Sequence, residues 1–302
     1  MTPEIVVGID DSAGARDALA FATRLASCAG ASVRLANAYN YSVVPSRARN
    51  ETFRRALEED SLDLLRVTAE SVDGVSGTDA IADPSAPHAL HSLAEAVGAA
   101  LVVVGSTHHG AAGRVVPGST GERLLHGSPC PVAIVPRGYA KADSIRSIGV
   151  GFDGSKESEA ALQAAYELAR HCDATLRVIR VFDATRVGTP ALMTMPGWHS
   201  MRDETEAIQR KHFAEAVAAL PADVAVESVF IIGNAGTELA SESWNVDLMV
   251  VGSRGYGPRA AVLLGGVSHV LIRKAACPVV VLPRGARGIG ALFGPIAEAA
   301  AS

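Results

Sequence analysis

Gly252-Ser253-Arg254-Gly255, then nine residues, then Gly265-Gly266-Val267-Ser268, is the stretch of this chain whose residue types best suit chemistry. Glycines let backbone amides approach an anion with no Cβ in the way and reach positive φ values. The helical run HVLIRKA that follows adds unpaired amides and the positive end of a helix dipole. That is the chemistry of holding phosphate. One helix end contributes roughly 0.3–2 kcal/mol per charge, so several amides and hydroxyls have to act together, and Ser268 is a candidate hydroxyl. A second version reads Gly105-Ser106-Thr107-His108, nine residues, Gly118-Ser119-Thr120-Gly121, then ERLLHG. Here Ser119 and Thr120 are the candidate hydroxyls.

The elements that must position these loops come from a repeat. IVVGIDDS at 5–12 returns as IGVGFDGS at 148–155, ALVVVGS at 100–106 as DLMVVGS at 247–253, and SPCPVAIVPRG at 128–138 as AACPVVVLPRG at 275–285. Each half is one copy of a domain, with expected boundaries 1–141 and 142–285 and a tail at 286–302. Short β-rich runs alternate with longer helical patterns, which demands parallel strands joined by right-handed crossovers. Strands are expected near 4–9, 32–38, 75–82, 101–105 and 131–136, and again near 147–152, 175–181, 224–232, 247–252 and 278–283. Consecutive apolar residues such as Val102, Val103 and Val104 suit strands covered on both faces. The fold class is therefore α/β, with two tandem doubly wound open parallel sheets. Ser12 and Ser155 are suited to cap the first helix of each half. Longer polar helices are expected at about 47–72 and 203–219.

Ligands of such sheets bind at the carboxyl ends of the strands, where the winding reverses. The end of strand one carries Asp10 or Asp153, preceded by Ile9 or Phe152. A buried acid there accepts a hydrogen bond from an adenine amino group or a ribose hydroxyl. Ala38, Val104, Val181 and Val251 would give the base apolar contacts, and Val267 lies in the second glycine cluster. The bland readings are a ligand-free strand-to-helix turn for the loops and a helix-capping role for the acids.

At these residues the chain resembles the universal stress protein family in its tandem form, over about 1–137 and 145–284. The family's adenine-nucleotide signature is G, two residues, G, nine residues, G, then S or T, with an acid after strand one and a CPV strand following. The resemblance implies five-stranded domains of order 3-2-1-4-5, ATP as ligand with Mg²⁺ bridging its phosphates, and pairing of the two domains through their fifth strands. That pairing would cover two otherwise exposed sheet edges. There are departures. His108 stands where the second glycine belongs, Gly121 replaces a later hydroxyl position, and Gly266 stands at the expected Ser/Thr. Which half holds nucleotide stays open.

The composition narrows the partners. With 302 residues, 48% apolar and a net charge of -5, neither disorder nor an electrostatic case for nucleic acid or a membrane surface arises. The start, MTPEIVVGID, reads as a first strand rather than a secretory signal. Four cysteines are too few for a disulfide scaffold and suit a reducing cytoplasm. Cys130 and Cys277, each before a proline, read as packing residues. His108, His109, His88 and His91 read as loop or solvated histidines, the last two with no acid nearby. Met193, Met195 and Trp198 are expected in a loop after strand two, and 138–146 as a linker. No P-loop GxxxxGK[ST] or GxSxG elbow is present. The expected function is thus a nucleotide-dependent regulatory protein with an unidentified protein partner and a homodimer left open. Slow ATP hydrolysis or self-phosphorylation, and a nucleotide-free interaction module, are the alternatives.

Overall fold

Apolar runs ending in glycine become strands, and the alanine- and leucine-rich runs between them become helices. The computed structural model describes residues 2–41, 51–106, 119–142, 144–186, 195, 197–253 and 266–283. The first half runs β1 (Glu4–Gly8), α1 (Ala13–Ala29), β2 (Ser32–Tyr39), α2 (Glu51–Glu70), β3 (Val75–Ala82), α3 (Ala86–Val97), β4 (Leu101–Gly105), α4 (Ser119–Leu125) and β5 (Val132–Val135). The second repeats it as β6 (Ser147–Gly151), α5 (Lys156–Cys172), β7 (Thr175–Phe182), α6 (Trp198–Ala218), β8 (Val226–Ile232), α7 (Ala235–Glu242), β9 (Leu248–Gly252), α8 (Gly266–Lys274) and β10 (Val279–Leu282). The expected tail at 286–302 lies outside the described residues.

All ten strands join one open sheet in the order β3-β2-β1-β4-β5-β10-β9-β6-β7-β8. Pairing is parallel within each half and antiparallel where the fifth strands meet, with Val280 opposite Ala133. The expected order and fifth-strand junction are thus observed. Because direction reverses at that junction, the carboxyl ends of the two strand sets face opposite ends of the sheet. The strands β4, β5, β9 and β10 beside it are buried almost throughout, since helices cover both faces. One layer, with Phe21, Leu25, Leu65, Leu168 and Phe213, packs under α1, α2, α5 and α6. The other, with Leu90, Leu124, Leu239 and Leu271, packs under α3, α4, α7 and α8.

Three features of the fold depart from the sequence reading or go beyond it. The linker is held firmly: buried Asp17 on α1 accepts from the backbone amides of Gly138 and Ala140, both at 2.7 Å, and Tyr139 packs edge-on against Phe21. A run of small and polar residues concealed this, because its anchor is a distant carboxylate. The helix expected from 203 starts at Trp198, which is buried and so does not belong to a surface loop. Met195 is exposed, and Met193 lies outside the described residues. Finally, the cysteines are not all free, since Cys28 on α1 and Cys172 on α5 form a disulfide between the halves. The repeat sets them at matching helix ends that the junction brings together. On the opposite face Arg273 of α8 reaches Glu122 of α4 at 2.6 Å.

Candidate functional site

A cleft of about 710 Å³ opens at the carboxyl ends of β6, β7 and β9. That volume falls within the range usual for small-molecule sites. It gathers all eight described second-half candidates: Phe152, Asp153, Val181, Val251, Gly252, Gly266, Val267 and Ser268. Gly255 and Gly265 lie outside the described residues. Ile179 and Leu239 extend its apolar wall, and Met201, Thr205 and Gln209 reach it from α6.

Local chemistry explains the positions. Ser155 caps α5 by accepting from the amide of Ser158 at 3.3 Å. Asp153 in turn accepts from the Ser155 amide at 3.0 Å and from its hydroxyl at 2.5 Å. The acid is therefore fixed by the turn that starts α5. It is half-buried rather than buried, because the strand has by then left the sheet. Gly252 is required by packing: a Cβ there would lie 2.7 Å from the Glu157 carbonyl, so β9 and α5 touch through their backbones. Gly266 is different, with nothing within 4 Å of an added Cβ. The buried Ser268 hydroxyl donates to the Gly252 carbonyl at 3.2 Å. It joins β9 to α8 instead of offering its proton to an open anion site.

The first-half cleft is smaller, about 220 Å³. It brings together Ile9, Asp10, Ala38, Val104, Gly105 and Thr120. Ser119 opens α4, while His108 and Gly118 lie outside the described residues. Asp10 is exposed, which corrects the expectation of a buried acid, and it accepts from the Ser12 amide at 3.0 Å. At Gly105 an added Cβ would collide with the Gly14 carbonyl at 2.1 Å. The first glycine of each loop therefore has a packing reason independent of any ligand.

Other residues were missed or misjudged. Arg180 on β7 lines the larger cleft, and burial holds its guanidinium below the ordinary arginine value. A charged residue inside a strand pattern reads simply as a solvated face, which is why no signal marked it. His88 is not without an acid: its Nδ1 lies 2.6 Å from Asp83, five positions earlier in the chain. Among the described residues no group of three or more His, Cys, Asp or Glu side chains could hold a metal ion. Cys130 and Cys277 are buried free thiols, and burial pushes the Cys130 thiol up to about 11. No helix among the described residues is long and apolar enough to cross a membrane.

Comparison with known proteins fits this duplicated architecture. The family model described as Universal stress protein family matches residues 1–136 and 144–283. A universal stress protein of Mycolicibacterium smegmatis is 29% identical over 294 residues, covering 92% of this chain and 96% of its own. One from Mycobacterium tuberculosis H37Rv is 30% identical over 198 residues, covering 64% of this chain and 68% of its own. Among solved structures, a universal stress protein from Archaeoglobus fulgidus aligns with a TM-score of 0.68 at 20% identity, over 93% of this chain and 98% of that one.

Proposed function

The chain belongs to the universal stress protein family, and we propose that its second half binds an adenine nucleotide, ATP, as a regulatory ligand. The observation that carries this reading is the 710 Å³ cleft, lined both by Asp153 and by the start of α8 at Gly266–Ser268. Ile179, Val181, Leu239 and Val251 add an apolar lining, the kind of surface against which a base packs. Asp153 accepts from a ribose hydroxyl or the adenine amino group, and the α8 amides face the phosphates.

Mg²⁺ fits as a companion of the nucleotide rather than a resident of the protein. A triphosphate brings several negative charges of its own into a cleft lined by Asp153, Glu157, Asp183 and Arg180. Mg²⁺ is usually bound through substrate phosphates, on which it acts as counter-ion. The described residues supply no three-ligand cluster to hold the metal separately.

For the first half a second reading has its own support. A cleft of about 220 Å³ with an exposed Asp10 suits a half that acts as an interaction module without nucleotide. Calorimetric titration with Mg·ATP tests the main reading. Binding is expected in the wild type and about ten- to a hundredfold weaker in Asp153→Ala, the usual effect of losing a charged hydrogen-bond partner. Heat-silent titrations supported by an absent thermal shift would remove it. The same samples incubated with γ-labelled ATP separate binding from slow hydrolysis, since binding alone releases no phosphate.

A further inference from the structure

The two halves differ in charge at the residue before the last pair of β7 and its counterpart on β2. By strand register Gly151 pairs with Ile179 and Gly8 with Ala36, so Arg180 corresponds to Asn37. In the first half Asn37 is consumed internally: its amide donates to the Ile9 carbonyl at 2.7 Å, and its oxygen accepts from Ser61 at 2.7 Å. In the second half an arginine stands there, with only 9% of the residue exposed. Its Nη2 donates to the Gln209 side-chain carbonyl of α6, while its buried Nε has no hydrogen-bond partner. No carboxylate of the described residues lies within ion-pair distance of it.

A buried, permanently charged group with an unused donor is costly unless a counter-charge arrives. Other arginines on this sheet meet that need in place: Arg34 bridges Glu4 and Asp79, and Arg177 bridges Glu227 and Glu242. Arg180 instead borders open space on two sides. It lines the nucleotide cleft and also a smaller hollow of about 420 Å³ under α6, shared with Asp153, Glu159, Thr205 and His212. Its Nη1 lies 3.6 Å from where a Cβ on Gly154 would stand, so the fork sits beside the Asp153 turn.

We propose that Arg180 and Gln209 form a second anion subsite, which takes a phosphate group carried on the sugar side of the ligand, separate from any 5′-phosphate at α8. Arginine's planar fork suits a phosphate through two parallel hydrogen bonds, and Gln209 holds that fork in position. The first half, with asparagine in place of arginine, lacks the subsite. The proposal deepens the nucleotide reading above and rests on it only for the rest of the ligand.

Calorimetry with AMP, adenosine 3′,5′-bisphosphate, adenosine 2′,5′-bisphosphate, ATP and inorganic phosphate tests it, on wild type, Arg180→Asn and Arg180→Lys. Wild type should bind one of the bisphosphates at least tenfold tighter than AMP. Arg180→Asn should abolish that preference, bringing both bisphosphates to the affinity of AMP, and Arg180→Lys should restore it in part. Equal affinity for AMP and both bisphosphates in the wild type overturns the subsite, even where ATP binds. So does a preference that survives Arg180→Asn in protein whose circular dichroism matches wild type. Should ATP and AMP fail to bind while inorganic phosphate binds wild type but not Arg180→Asn, the nucleotide reading falls and the anion subsite stands.

Discussion

Gly252 and Gly266 look alike in the sequence but carry different loads. The first is fixed by the Glu157 backbone, whereas the second faces open space. Gly252→Val should therefore destabilise the fold by about 1–3 kcal/mol through overpacking, read as a lower midpoint in urea unfolding with or without nucleotide. Gly266→Ser should leave that midpoint nearly unchanged and tighten ATP about three- to tenfold, because it adds a hydroxyl where α8 begins, worth about one hydrogen bond. The acids were legible in the sequence because they end a strand and precede a capping serine. Their exposure was not, since burial depends on how far the turn leaves the sheet. Nor was Arg180, whose meaning comes from Gln209, a residue on another helix. The buried thiols give a pH prediction at this scale. Burial raises the Cys130 pKa to about 11 and the Cys277 pKa also, so folding favours the neutral thiol. That contribution is complete below the ordinary value near 9.0 and is lost as pH rises towards about 11. Iodoacetamide labelling of the native protein should stay slow and nearly flat from pH 7 to 9, and two thiols should react once urea is added.

Strands and helices were read from sequence with errors of a residue or two wherever apolar runs ended at glycine, as in β1, β4, β6 and β9. Prediction failed where tertiary contacts decide. Trp198 starts α6 because it is buried, although Met195 and Gly197 before it look like loop. The linker after β5 is likewise ordered by Asp17, whose place in the middle of α1 gave no hint of the two amides it holds. Asp17→Ala should leave both donors unpaired and cost about 2–4 kcal/mol. Increased hydrogen exchange at Gly138 and Ala140, with α1 otherwise protected, would mark the linker as the part released. Unchanged protection there would mean that Tyr139 packing alone suffices.

At the scale of the molecule the duplication produces one sheet with two clefts at opposite ends, clasped on one face by Cys28–Cys172 and on the other by Arg273–Glu122. The disulfide closes a loop with a sequence separation of 144, and loops of that order gain about 2–5 kcal/mol from the cross-link. The Cys28→Ser, Cys172→Ser double variant should lower unfolding stability by that amount in oxidising buffer and match wild type under strong reductant. Equal stability in both buffers would mean the β5–β10 junction carries the association. The central claim is unequal clefts on equal folds. Equilibrium dialysis against labelled Mg·ATP tests it most directly, with Val181→Trp filling the larger cleft and Ala38→Trp the smaller. The expected result is one ATP per chain, lost in Val181→Trp and kept in Ala38→Trp; two per chain, none, or loss only in Ala38→Trp would contradict it.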